Sequence, residues 1–187
     1  MSDLYRRENV LALLHEHTRS DALRRHAYAV EAAMRAAAAR TGNDPDYWGA
    51  VGLIHDFDYE QYPQAPDHPT RGAEILRAKG YPEDFVRAVL SHASYTGVPR
   101  ESECARWLFA VDELCGFCMA CAMVQPDRKI ASVQVKSVRK KLKKKDFAAK
   151  VNREEIREGA AELGVELDEV IQLVLGALAG VADELGL

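Results

Sequence analysis

The sequence contains no long uninterrupted apolar run. Its most apolar stretch, 107–124, is broken by Asp112 and Glu113, which argues against a membrane span because charge at the centre of a bilayer is costly. The opening MSDLYRRENV leads into a mixed polar and apolar segment without an h-region, so no signal peptide is expected. Missing too are the polar–apolar alternation of half-buried strands and any internal repeat. Cysteine is scarce, and four thiols without an export signal are expected to be reduced, in a cytoplasmic protein. No large charge of one sign is present. A net charge of −4 suggests neither a nucleic-acid binder nor a disordered acidic chain, and 187 residues suffice for one domain with a real core.

What is present is helical periodicity. The spacing predicts helices over 4–17, an alanine-rich 22–40 closed by Thr41-Gly42-Asn43, and 45–55, with Asp44 as N-cap and Pro45 at the first helical position. Three prolines in 59–69 predict a loop. Helices follow over 69–79 and 82–92, then a turn at 95–99 and a long, largely buried helix over 101–124, stopped by Pro126. Residues 128–150 carry ten basic side chains against one acid, Asp146, so charge is segregated. Asn152 then opens a short helix in capping-box style with Glu155 three residues on, ending at Gly164. A last helix from about Asp168 has Ile171, Val174, Leu175, Leu178 and Val181 on one face and is expected to pack back on the bundle.

Several polar residues interrupt core-facing stripes. His26 shares a face with Val30, Ala33 and Met34; His55 follows Val51 by four residues; His92 follows Val89 by three; Asp112 follows Phe109 by three. A lone inward histidine is usually a hydrogen-bonded core residue, but four such groups on four helices are harder to explain that way. A buried Asp112 needs a counter-charge, and none lies nearby in sequence. A divalent cation would supply it, and imidazole with carboxylate suits Mn, Fe, Co, Ni or Zn.

The order His26, then His55-Asp56, then Asp112 resembles the HD superfamily of metal-dependent phosphohydrolases, named for its adjacent His-Asp pair. The surrounding text LIHDFDYE, HPTRGAEIL, VLSHAS and FAVDEL carries the resemblance, most clearly over 25–124. The whole chain also resembles one branch of predicted hydrolases with the basic tail KSVRKKLKKKDFAAKVNRE. The resemblance implies an all-α fold: an HD-type metal-binding bundle over 1–125, with a helical extension, 126–187, packed on the same domain. It implies that His26, His55, Asp56 and Asp112 bind one metal. It also raises a second ion, held by His68 and His92 and bridged by Asp56. The alternative is that His68 and His92 line the pocket, bonding substrate phosphate or protonating the leaving group.

The activity implied is hydrolysis of a phosphomonoester or phosphodiester, perhaps of a nucleotide, by a metal-activated water. Two other readings share the ligands: a di-iron oxygenase of the same fold, and a non-catalytic module that keeps metal for stability. Asp58 and Tyr59 are candidates to contact ligands or substrate, or else loop residues capping a turn. Lys136, Arg139, Lys140 and Lys143 fall on one helical face and can receive substrate phosphates, or form a solvated surface. The patch is too short and too poor in aromatics to argue for nucleic acid. Cys115, Cys118 and Cys121 would fan around one continuous helix, where a cluster-binding motif would wrap a loop. Gly176 and Gly180 permit close helix packing, within the chain or across a homodimer.

Overall fold

The structure is a computed structural model that describes residues 3–187; among these it has ten α-helices and no strand. They are α1 (Arg7–His17), α2 (Asp21–Thr41), α3 (Pro45–Ile54), α4 (Asp67–Ala78), α5 (Glu83–Leu90), α6 (Glu103–Met123), α7 (Val135–Leu142), α8 (Arg153–Leu163), α9 (Leu167–Gly180) and α10 (Ala182–Leu185). The all-α expectation holds. The first helix starts at Arg7 rather than residue 4, because Asp3–Tyr5 forms a separate 3-10 turn. The fourth kinks at its start: His68 is extended, with φ −79° and ψ 137°, as expected of a residue before proline.

Two 21-residue helices, α2 and α6, lie against each other at the centre. Both are capped by serine: Ser20 Oγ accepts from the Leu23 N–H and Ser102 Oγ from the Ala105 N–H. Helix α6 is apolar around most of its circumference, as a helix enclosed by others must be. It opens to solvent on the side carrying Asp112, Glu113 and Gly116. Helix α3 packs on α2 where Gly52 lies against the α2 backbone; a Cβ there would sit 2.9 Å from the Val30 carbonyl oxygen. That close approach sets His55, just past the end of α3, beside His26 on α2.

Helices α8 and α9 pack on α6, α9 and α10 pack on α2, and all share one apolar core. The buried carboxylate of Glu31 on α2 is fully countered. Arg7 Nε and Arg35 Nε each donate to its Oε1 at 2.9 Å, and Arg35 Nη1 also reaches Asp46 at 2.7 Å. This network ties α1, α2 and the start of α3 together, and it would cost several kcal/mol to break on one side only. Among the described residues, no helix is long and apolar enough to cross a membrane.

Candidate metal centre

His55 and Asp56 occupy the first residues of a turn that continues to residue 61. Three bonds fasten it to the segment leading into α2. Thr18 Oγ1 donates to the Phe57 carbonyl at 2.9 Å, and the Glu60 carboxylate accepts the backbone N–H groups of Arg19 and Ser20 at 2.6 and 3.1 Å. The turn is thereby registered against the helix that carries His26.

Two groups of side chains converge here. In the first, His26 Nε2 lies 2.9 Å from Asp112 Oδ1, and His55 Nε2 lies 3.4 Å from the same oxygen. In the second, His68 Nε2 and His92 Nε2 lie 3.2 and 3.1 Å from Asp56 Oδ1. The ligand atoms within each group all lie within 4.8 Å of one another. Asp56 faces both: its other oxygen, Oδ2, is 3.5 Å from His55 Nε2. Four imidazoles and two carboxylates from α2, the 55–61 turn, α4, the end of α5 and α6 thus meet at one place.

The imidazoles are aimed by their other nitrogens. His55 Nδ1 donates to the Gly52 carbonyl at 2.8 Å and His92 Nδ1 to the Val89 carbonyl. In the neutral ring each leaves Nε2 as a bare lone pair. His55 is fully buried, yet its Nε2 makes no well-aimed hydrogen bond, although Asp112 Oδ1 and Asp56 Oδ2 lie 3.4 and 3.5 Å away. A buried ring nitrogen left without a partner is costly. A cation at this point would satisfy it.

Residues 23–115 match the HD domain, a span that contains every one of these six side chains. The chain belongs to the HD superfamily. Neither the curated proteins nor the solved structures yield a match. HD proteins are mostly metal-dependent phosphohydrolases, and the converging His and Asp groups of this HD chain fit a divalent metal site.

The electrostatics of the HD centre point the same way. Burial opposes charging His55, but Asp56 and Asp112 outweigh it and raise its pKa to about 10. Burial likewise opposes charging His68, and Asp56 and Asp58 raise it to about 9. Burial pushes the Asp56 and Asp112 carboxyls up, but the facing imidazoles overcome it and hold both well below the usual carboxylate range. Positive charge between the carboxylates is therefore favoured, whether from protons or from metal.

Asp58 is positioned differently from a substrate contact. It is fully buried, accepting from His68 Nδ1 at 2.8 Å and from the Gly72 N–H at 2.7 Å. Both oxygens are occupied, so it fixes the His68 ring and does not line the cavity. Tyr59 does line it, edge-on to His68 with ring centroids 5.1 Å apart.

Lys136, Arg139 and Lys140 are not among the residues around the cavity. All three are exposed on α7, where Val138 and Leu142 turn inward, and Arg139 pairs with Asp168 at 3.3 Å. The amphipathic packing of α7 against α6 and α9 faces its basic side outward. The cysteines of α6 are buried, and burial pushes the Cys115 and Cys118 thiols far up; neither belongs to a group of converging ligands among the described residues.

Six residues that line the cavity went unrecognised in the sequence, among them Glu113, Tyr95 and Glu155. Tyr95 donates its hydroxyl to the His68 carbonyl at 2.8 Å. Burial, with Asp112 beside it, raises Glu113 to about 7. Glu155 stands in the capping-box position of α8, where it would reach back to the Asn152 N–H. Glu113 Oε2 accepts that N–H instead, at 3.1 Å. The Asn152 side chain still caps the Glu154 and Glu155 N–H groups, so the helix start is satisfied and the Glu155 carboxylate is released to the cavity.

Proposed function

We propose that this HD protein is a metal-dependent phosphohydrolase that holds two divalent cations. His26, His55 and Asp112 would hold one and His68 and His92 the other, with Asp56 shared between them. The observation that carries this reading is the division of the Asp56 carboxylate, Oδ2 toward His55 and Oδ1 toward His68 and His92. Divalent cations in such a centre supply Lewis acidity, acidifying water and neutralising charge on a phosphoryl group.

The chain's own contribution is orientation. The Gly52 and Val89 carbonyls fix two rings from the backbone, and Asp58 fixes a third through its carboxylate. Partners of this kind are worth about 10–100-fold in metal affinity or activity. Asp58→Ala should therefore weaken metal affinity about 10–100-fold while every ligand remains in place. Isothermal titration with manganese reads this directly, and unchanged affinity would show that His68 needs no support.

Metal loading should also release protons. At pH 7 the metal-free centre carries His55 and His68 in protonated form, since both are raised above neutrality, to about 10 and about 9. A cation must displace those protons, so apparent affinity should rise with pH, by about tenfold per pH unit for each proton displaced, and level off near pH 9–10. Calorimetry in buffers of different ionisation enthalpy counts the protons; a count of zero at pH 7 contradicts the charge assignment.

The decisive experiment combines metal analysis with turnover. Protein stripped by chelation and reloaded with manganese or cobalt should release phosphate from simple phosphoesters, and the stripped protein should not. Turnover that instead requires iron and O2 would replace hydrolysis by oxygenation. Tight metal binding without turnover on a broad phosphoester panel would leave only a stabilising role.

A further inference from the structure

The cavity in front of the two triads has a volume of about 310 Å3, near the lower end for small-molecule sites. A phosphate-binding cavity commonly recruits arginine or lysine. None lines this one among the described residues. Arg100, whose charge acts on Glu155, is already engaged: it forms a two-pronged pair with Glu162, donates to the Ser91 carbonyl and stacks over the Phe109 ring.

Glu113 and Glu155 line this cavity together with the candidate ligands. Glu113 is pinned by the Asn152 N–H, and the Glu155 carboxylate has no hydrogen-bond or ion-pair partner among the described residues. Both are half-buried. Next to Asp56 and Asp112, which line the cavity, the fully buried His55 Nε2 has no hydrogen-bond partner. The cavity therefore has one end, at the candidate ligands, that calls for a cation and, through it, a phosphoryl group, and a wall of two carboxyl groups with no side-chain cation among its lining residues. A nucleoside triphosphate is poorly served there: its extra phosphates would meet carboxylates and no side-chain cation.

We infer that Glu113 and Glu155 determine specificity, receiving a positively charged amine at the far end of a small phosphomonoester whose phosphoryl group lies at the metals. This rests on the metal-centre reading above and narrows its substrate class. Charge-assisted bonds from an ammonium group to carboxylates discriminate by about tenfold or more against a ligand that lacks the donor.

Three probes test it on manganese-loaded protein: 2-aminoethyl phosphate, ethyl phosphate and adenosine triphosphate. Affinity is measured by isothermal titration, with phosphate release followed in the same samples. The amine ester should bind about tenfold or more tighter than ethyl phosphate, and the triphosphate most weakly. Glu113→Gln and Glu155→Gln should each shrink that ratio toward one, leaving ethyl phosphate affinity and manganese content unchanged. Equal binding of the two esters, tightest binding of the triphosphate, or a ratio unmoved by both variants overturns the inference. So does a loss of manganese in both variants with the ratio intact, which would make the carboxylates mere balance for ion charge. An amine preference without phosphate release supports this inference and sinks hydrolysis; phosphate release without the preference does the reverse. If no probe binds with manganese in place, both fall.

Discussion

With the two cations proposed above, Asp56→Asn is expected to lower metal-dependent turnover about a thousandfold and to reduce bound metal to one ion per chain or none. The substitution preserves size and removes one anionic oxygen from the side chain that, among the described residues, faces both triads. An amide nitrogen is a donor and cannot ligate a cation. Two divalent ions held close together also repel, and the shared negative charge between them offsets part of that repulsion. A thousandfold loss corresponds to about 4 kcal/mol of transition-state stabilisation. Metal counting by mass spectrometry beside a phosphate-release assay separates the two effects. Retention of two ions with turnover within a few-fold of the parent would show that Asp56 bridges nothing.

The second large effect concerns the scaffold. Helix α8 approaches α6 so closely at Gly159 that an added Cβ would lie 2.5 Å from the Ala110 Cα and 3.1 Å from its nitrogen. These are backbone atoms inside a central helix and have no rotamer to swing away. Gly159→Ala must push the two helices apart, and overpacking of this kind costs about 1–3 kcal/mol, sometimes more. For a chain of this length that is a fall in Tm of roughly 2–12 °C. The comparison is Gly176→Ala on α9, where a Cβ meets nothing within 4 Å and the better helix former should leave Tm unchanged or slightly raised. Because α8 carries Glu155 while all six candidate ligands precede residue 113, the folded variant should keep its manganese at low temperature. Equal melting of Gly159→Ala and the parent would mean that the α6–α8 contact is looser than its geometry.

Much of this was readable along the chain because it is local. Helix existence follows from periodicity and capping residues: Asp44 and Asn152 each accept from the N–H groups they precede. The inward placement of His26, His55, His92 and Asp112 follows from their spacing to apolar neighbours, and the HD resemblance joined them. The basic face of α7 was equally plain, but a helix has no local feature that says which surface of the protein its charged side will meet.

The sequence by itself determined which side chains point inward and in what order they come, since 3.6-residue periodicity is a property of consecutive residues. Only the tertiary structure decided how they are grouped. It gathered six candidate ligands into two triads, with Asp56 of one facing the other, chose support of His68 over contact with substrate for Asp58, and kept Lys136, Arg139 and Lys140 away from the centre. It also let Glu113 take the Asn152 N–H that a capping box assigns to Glu155. The physical reason is common to all four: each depends on an approach between segments ten or more residues apart in the chain, fixed by packing contacts that no local pattern encodes.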